Sequence, residues 1–86
     1  MRVSYLPAAE KQMAKLGTSV QRRIKRYMTE VSILKDPRSR GKALKGNLAD
    51  FWCYRVGDYR VLCRIMDNEL VITVVRVGHR SDVYDG

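Results

Sequence analysis

The chain has 86 residues, 45% of them hydrophobic, and 17 Lys and Arg against 9 Asp and Glu give a net charge of +8. That length allows a single domain, 1–86, with a thin core, and the apolar content is too high for a disordered chain. No apolar run approaches the roughly 20 residues that span a bilayer, and Met1-Arg2-Val3-Ser4-Tyr5 lacks the charged-then-apolar pattern of a secretion signal, so a cytoplasmic protein without a membrane partner is expected.

Residues 2–5 alternate and carry Val and Tyr, which predicts a short strand. Pro7 suits the first turn of a helix, where its missing N–H would be unpaired anyway. That helix is expected to run to about Leu16, with Ala9, Met13 and Leu16 on one stripe, and to stop at Gly17. Thr18 with Gln21 fits the capping-box pattern for a second start. Val20, Ile24, Tyr27, Met28, Val31 and Leu34 then repeat at helical spacing for about four turns. Arg22, Arg23, Lys25 and Arg26 project away from that stripe, which gives the second helix a basic outer face.

Asp36-Pro37 ends the helix, and Arg38 to Asn47 reads as a basic loop in which Ala43-Leu44-Lys45 could pair briefly as a strand. From Phe51 the period changes to two. Three strands are predicted, Phe51–Val56, Tyr59–Met66 and Glu69–Val77, joined by two-residue turns at Gly57-Asp58 and Asp67-Asn68. The fold class is therefore α+β in two layers: a short N-terminal strand, a helical hairpin, then an antiparallel three-stranded meander.

Turns fix register, and register assigns faces. The first turn opposes Arg55 to Arg60, Tyr54 to Val61 and Cys53 to Leu62; the second opposes Ile65 to Leu70, Cys63 to Ile72, Val61 to Val74 and Arg60 to Val75. One face then carries Trp52, Tyr54, Val56, Tyr59, Val61, Cys63, Ile65, Leu70, Ile72 and Val74 and should bury against the helices. The other carries Cys53, Arg55, Arg60, Leu62, Arg64, Val71, Thr73 and Val75, and is expected to be open and cationic. Cys53 and Cys63 stand ten apart without a CxxC partner, so they read as buried structural thiols rather than a zinc site.

The positive charge is concentrated. Residues 22–45 hold nine basic residues against Glu30 and Asp36. Such a cluster attracts polyanions by releasing their counterions, although a solvated helix face with a lysine-rich loop has the same composition. Arg55 opposed to Arg60 is more pointed, because like charges directly across a sheet destabilise it by up to about 1 kcal/mol. An anion held between two forked guanidinium groups offsets that cost, unless one arginine folds across Trp52 or Tyr59 or pairs with Asp58. Beyond the last strand, Gly78 lets the chain turn, and His79, Arg80 and Tyr84 follow at the end of the sheet. His79 is the only histidine, and an imidazole titrates near neutrality. Basic groups, a histidine and a tyrosine together match what RNA cleavage by its own 2′-hydroxyl requires: a base, cations for the pentavalent phosphate, and an acid for the leaving 5′ oxygen. No acidic cluster that would hold magnesium is visible, so neither a metal nor a small-molecule cofactor is expected.

The segments Leu44-Lys45-Gly46, Trp52-Cys53-Tyr54-Arg55-Val56-Gly57-Asp58-Tyr59-Arg60-Val61 and Val77-Gly78-His79-Arg80-Ser81-Asp82-Val83-Tyr84 resemble recurring blocks of the RelE/ParE toxin superfamily, and the order of elements fits along essentially the whole chain. The RelE-like branch of that superfamily cuts mRNA in the ribosomal A site and is held inactive by a cognate antitoxin. The resemblance implies that Arg60 and Arg80 stabilise the transition state, that Arg55 and Lys45 bind the RNA backbone, and that Tyr84 or His79 manages the protons, since members differ in which serves. The position two before Arg55 is often basic in this family and here is Cys53. The basic helix, through Arg22, Arg23 and Arg26, is expected to dock on the ribosome. An antitoxin is expected to cover the open face, where Leu62, Val71 and Val75 lie among arginines, or to displace the C-terminal tail. Two rival readings remain: a ParE-like inhibitor of DNA gyrase, a branch that typically lacks the terminal basic–aromatic set, and a non-catalytic nucleic-acid-binding module, which leaves the opposed arginines unexplained.

Overall fold

In the computed structural model, which describes residues 1–79, the chain opens with strand β1 (Arg2–Tyr5) and helices α1 (Pro7–Ala14) and α2 (Thr18–Ser32). Strands β2 (Lys42–Ala43), β3 (Trp52–Val56), β4 (Tyr59–Met66) and β5 (Val71–His79) follow. They form one sheet in the order β1-β5-β4-β3-β2, with β1 parallel to β5 and every other pair antiparallel. The expected meander is therefore the middle of a five-stranded mixed sheet, extended by β1 on one edge and the short β2 on the other. Among the described residues no helix is long and apolar enough to cross a membrane.

The helical hairpin begins with Pro7 in the first turn of α1. Helix α1 ends at Ala14, earlier than the stripe through Leu16 predicts, because the amides of Lys15 and Leu16 donate to Gln12 and Met13 and tighten the last turn. Gly17 is extended (φ −63°, ψ 153°) and is the N-cap of α2, so no capping box forms. Gln21 instead donates to the Leu16 carbonyl at 2.8 Å and braces the corner between the helices. Ile24, Met28 and Val31 of α2 are fully buried, with Ala9 and Met13 of α1, against Tyr54, Val56, Val61, Cys63, Ile72, Val74 and Val77 of the sheet.

The β3–β4 register is the predicted one, from Val56 opposite Tyr59 to Cys53 opposite Leu62. Gly57 sits at φ +61°, a conformation open to glycine at little cost. The second turn is longer than predicted. Asp67–Glu69 form a 3₁₀ turn and Leu70 adopts a left-handed conformation (φ 55°), so Ile65 opposes Ile72 and Cys63 opposes Val74. This two-residue displacement preserves the faces of Ile72 and Val74 but expels Leu70, which is 63% exposed. The register then shifts beside Leu62/Cys63: Leu62 opposes Arg76, leaving Val75 as an extra residue. One inserted residue reverses the alternation, so Val77 is buried and Gly78, not Val75, opposes Arg60.

The outer face is only partly open. A second small core covers it, where Leu44, from the segment expected to be a basic loop, packs with Cys53, Leu62, Leu48 and Phe51. Leu62 and Val71 are buried (4% and 6% exposed), so they cannot serve as the exposed apolar docking residues the sequence suggests.

Burial raises the pKa of the Cys63 thiol and the Tyr54 hydroxyl well above their ordinary values, and those of Cys53 and Tyr5 to a lesser degree. For such groups the native state favours the neutral form. Their stabilisation is complete below the unfolded-state pKa, about 8.5 for cysteine and about 10 for tyrosine, and is lost as pH rises above it, by up to about 1.4 kcal/mol per pH unit per group. Urea midpoints should therefore fall steeply between pH 8 and pH 10.5, and Cys63→Ala should flatten that fall whatever its midpoint at pH 8. A midpoint independent of pH over this range contradicts the burial of these groups.

Candidate nucleic-acid interface

Arg55 and Arg60 project from neighbouring strands on the face turned away from the helices, as a directly opposed pair. One strand further, Lys42 opposes Cys53. These four residues and Gly41 line a concavity of roughly 210 Å³ to which the described residues bring three cations. The Cys53 thiol at its wall stays protonated: burial raises its pKa, against the opposing pull of Arg60, Lys42 and Arg55. The cavity therefore gathers positive charge on two forked guanidinium groups and an ammonium, which suits a phosphate.

Arg55 belongs to a second concavity as well. Strand β2 pairs only with Trp52 and Cys53, so β3 is a bare edge beyond them. There Arg55, Val56 and Gly57 meet Arg23, Arg26, Tyr27 and Glu30 of α2 around a space of about 260 Å³. The Arg23 guanidinium rests on the β3–β4 turn, where a Cβ on Gly57 would come within 2.9 Å of it. Arg23 and Arg26 thus lie on the path from the Arg55–Arg60 pair, whereas the exposed Arg22 does not line it. Lys45 is exposed and is likewise not a lining residue of the first cavity; Lys42, which nothing in the sequence singles out, takes that place.

His79 ends β5 opposite Tyr59, with the two rings edge to face at 5.7 Å. It shares the face of Tyr59 and Val77, on the helix side of the sheet, and lines a separate concavity of about 470 Å³ with Gln12, Lys15, Leu16, Tyr59, Arg76, Val77 and Gly78. The described residues therefore bring Arg55, Arg60 and Lys42 together, and place His79 at the same end of the sheet on the opposite face. Arg80 and Tyr84 lie outside the described residues. Arg76, an exposed cation opposite Leu62, escaped the sequence reading because only the bulge turns it to the arginine face.

Residues 3–84 match the family model described as the ParE toxin of type II toxin–antitoxin system, parDE. The chain is 34% identical over 82 residues to the mRNA interferase toxin RelE of Escherichia coli (strain K12), a match that covers 88% of this chain and 81% of that one. It is 40% identical over 50 residues to Toxin RelG of Mycobacterium tuberculosis, a match spanning only 58% of that relative's length and 58% of this chain. The fold is similar to that in the crystal structure of the toxin–antitoxin complex RelBE2 from Mycobacterium tuberculosis, with a TM-score of 0.83, 28% identity, and 94% of this chain and 92% of that one covered. The two helices against a mixed sheet are those of a type II toxin–antitoxin toxin. The chain belongs to the ParE toxin family of the RelE/ParE superfamily, and within it is a RelE-family toxin.

Proposed function

We propose that the protein is an endoribonuclease that cleaves mRNA in the ribosomal A site by metal-independent attack of the RNA's own 2′-hydroxyl, thereby inhibiting translation, and that a cognate antitoxin holds it inactive. The opposed Arg55–Arg60 pair, with Lys42 lining the same cavity, carries this reading. In the reaction the 2′-hydroxyl loses its proton to a base, its oxygen bonds to the adjacent phosphorus, and the 5′ oxygen leaves with a proton, giving a cyclic phosphate and a free 5′-hydroxyl. Negative charge grows on the phosphoryl oxygens, where Arg60, with Arg80, lowers the barrier, while Arg55 and Lys45 hold the backbone. His79 and Tyr84 are the groups for the proton transfers. The name of the E. coli relative, an mRNA interferase toxin, supports the chemistry.

The family model's description, a ParE toxin, favours the gyrase reading instead. The two readings separate in one pair of assays. The protein added to ribosomes carrying a defined mRNA should cut within the A-site codon without added metal, and should leave DNA supercoiling by gyrase unchanged. Intact mRNA together with inhibited gyrase overturns the nuclease proposal.

The basic face of α2 then serves docking. Changing Arg22, Arg23 and Arg26 together to Glu should weaken ribosome association and flatten its salt dependence, since each phosphate contact releases about one counterion. Arg23 and Arg26, which line the second concavity, should carry more of the loss than Arg22. Equal pelleting with ribosomes by parent and triple variant at every salt concentration removes this role.

A further inference from the structure

We propose that Lys42 is a substrate-binding residue of the Arg55–Arg60 cavity, where it grips an RNA phosphate, and that the loop before it is built to hold it there; this deepens the nuclease reading and rests on it. Lys42 opposes Cys53 across β2 and β3, and directly opposed residues share a face, so its side chain leaves the sheet beside Arg55. All three cations line the same concavity. The loop's other cations are engaged elsewhere: Arg38 makes a two-pronged pair with Asp67 at 2.9 Å, and Arg40 pairs with Glu30 at 3.1 Å and lies over the Tyr27 ring. Among the described residues no carboxylate pairs with Lys42. Its charge is left for a ligand. The residue facing it, Cys53, is small and uncharged, so the wall between Lys42 and the arginines offers space without competing for the anion.

A two-residue strand is too short to fix its own place, and three contacts from β3 do so. The Tyr54 hydroxyl donates to the Pro37 carbonyl at 2.6 Å in the interior. The Trp52 indole N–H donates to the Arg40 carbonyl at 2.7 Å. Gly41 lies flat on β3 at φ +77°, where a Cβ would stand 2.6 Å from both the Cys53 carbonyl oxygen and the Trp52 indole nitrogen. These contacts end one residue before Lys42. Trp52 is thus a positioning residue for a cation that it does not touch through its own ring.

Binding of labelled full-length protein to two kinds of ribosome tests the assignment. One carries an mRNA with a 2′-deoxy nucleotide at the scissile position; the other carries an mRNA truncated after the P-site codon. At 0.1 M salt, Lys42→Ala should bind the first roughly five- to tenfold more weakly than the parent, the counterion-release value of one single-strand phosphate contact, and the second equally well. Lys42→Arg should restore the affinity. Trp52→Phe, which keeps an aromatic side chain and removes the bond to Arg40, should reproduce the loss, with little further loss in the double variant. Unchanged affinity of Lys42→Ala, or an equal loss on both ribosomes, overturns the proposal. Intact mRNA after the parent protein is added to ribosomes carrying it would instead remove the nuclease reading itself; parental cleavage together with a fully binding Lys42→Ala removes only Lys42.

Discussion

Arg60→Ala is expected to reduce mRNA cleavage on ribosomes by about 100- to 1000-fold, the usual cost of removing one preorganised donor to a developing oxyanion. Arg60 is half-buried on the sheet face turned away from the main core, and none of the residues packed in that core is lost with it. The variant should therefore keep the parental unfolding free energy, from urea denaturation, to within about 1 kcal/mol. Its opposed partner Arg55 stays in place, so substrate still meets two cations, Arg55 and Lys42, and binding should weaken far less than the rate. Arg60→Lys should recover only part of the rate, because an ammonium is a point charge and cannot fork across two phosphoryl oxygens. Growth arrest on induction should disappear with the alanine variant. A folded Arg60→Ala protein that cleaves at parental speed would falsify the electrostatic role given to the opposed pair.

How far this site could be read from sequence depended on how local its determinants are. The Arg55–Arg60 pairing follows from Gly57-Asp58 alone, and the structure has that register. The next turn misled because Leu70 takes a left-handed conformation that no local preference of leucine favours, while its carbonyl accepts from the Arg2 amide of β1. That contact belongs to a parallel pairing between the two ends of the chain, for which nearby residues carry no signal. The bulge beside Leu62/Cys63 acts similarly, deciding alone that Val77 is buried and Arg76 is turned outward. For the segment after Lys42 a signal was present: Leu44, Leu48 and Phe51 are apolar residues in a stretch otherwise typical of a solvated loop, and they close the second core. The nine cations of residues 22–45 look alike in sequence. Only Asp67 and Glu30, distant along the chain, distinguish the paired Arg38 and Arg40 from Lys42.

Ile24→Ala should produce the opposite dissociation, a large loss of stability with intact chemistry per folded molecule. Ile24 is fully buried at the centre of the α2 stripe, in the cluster that joins α2 to the sheet. Truncating such a side chain removes its transfer free energy and leaves a cavity, about 2–5 kcal/mol together. Domains of this size hold only about 5–15 kcal/mol in total, and 86 residues place this one towards the lower end. At roughly 4–8 °C per kcal/mol, the thermal midpoint should drop by about 8 to 40 °C, whereas Ile24→Val, costing about 0.5–1.5 kcal/mol, should lower it by only about 2 to 12 °C. The flanking Arg23 rests on Gly57 from the same helix, so unfolding of α2 removes the docking face and the main core together. Well below its midpoint, however, the alanine variant retains Arg55, Arg60 and Lys42 on a face that Ile24 does not touch, and its cleavage rate corrected for folded fraction should match the parent. Calorimetry and cleavage on ribosomes over a common temperature range check both halves. A midpoint lowered by only a degree or two means that α2 is not packed on the sheet as described, and a corrected rate that falls with the midpoint means that α2 shapes the cavity itself.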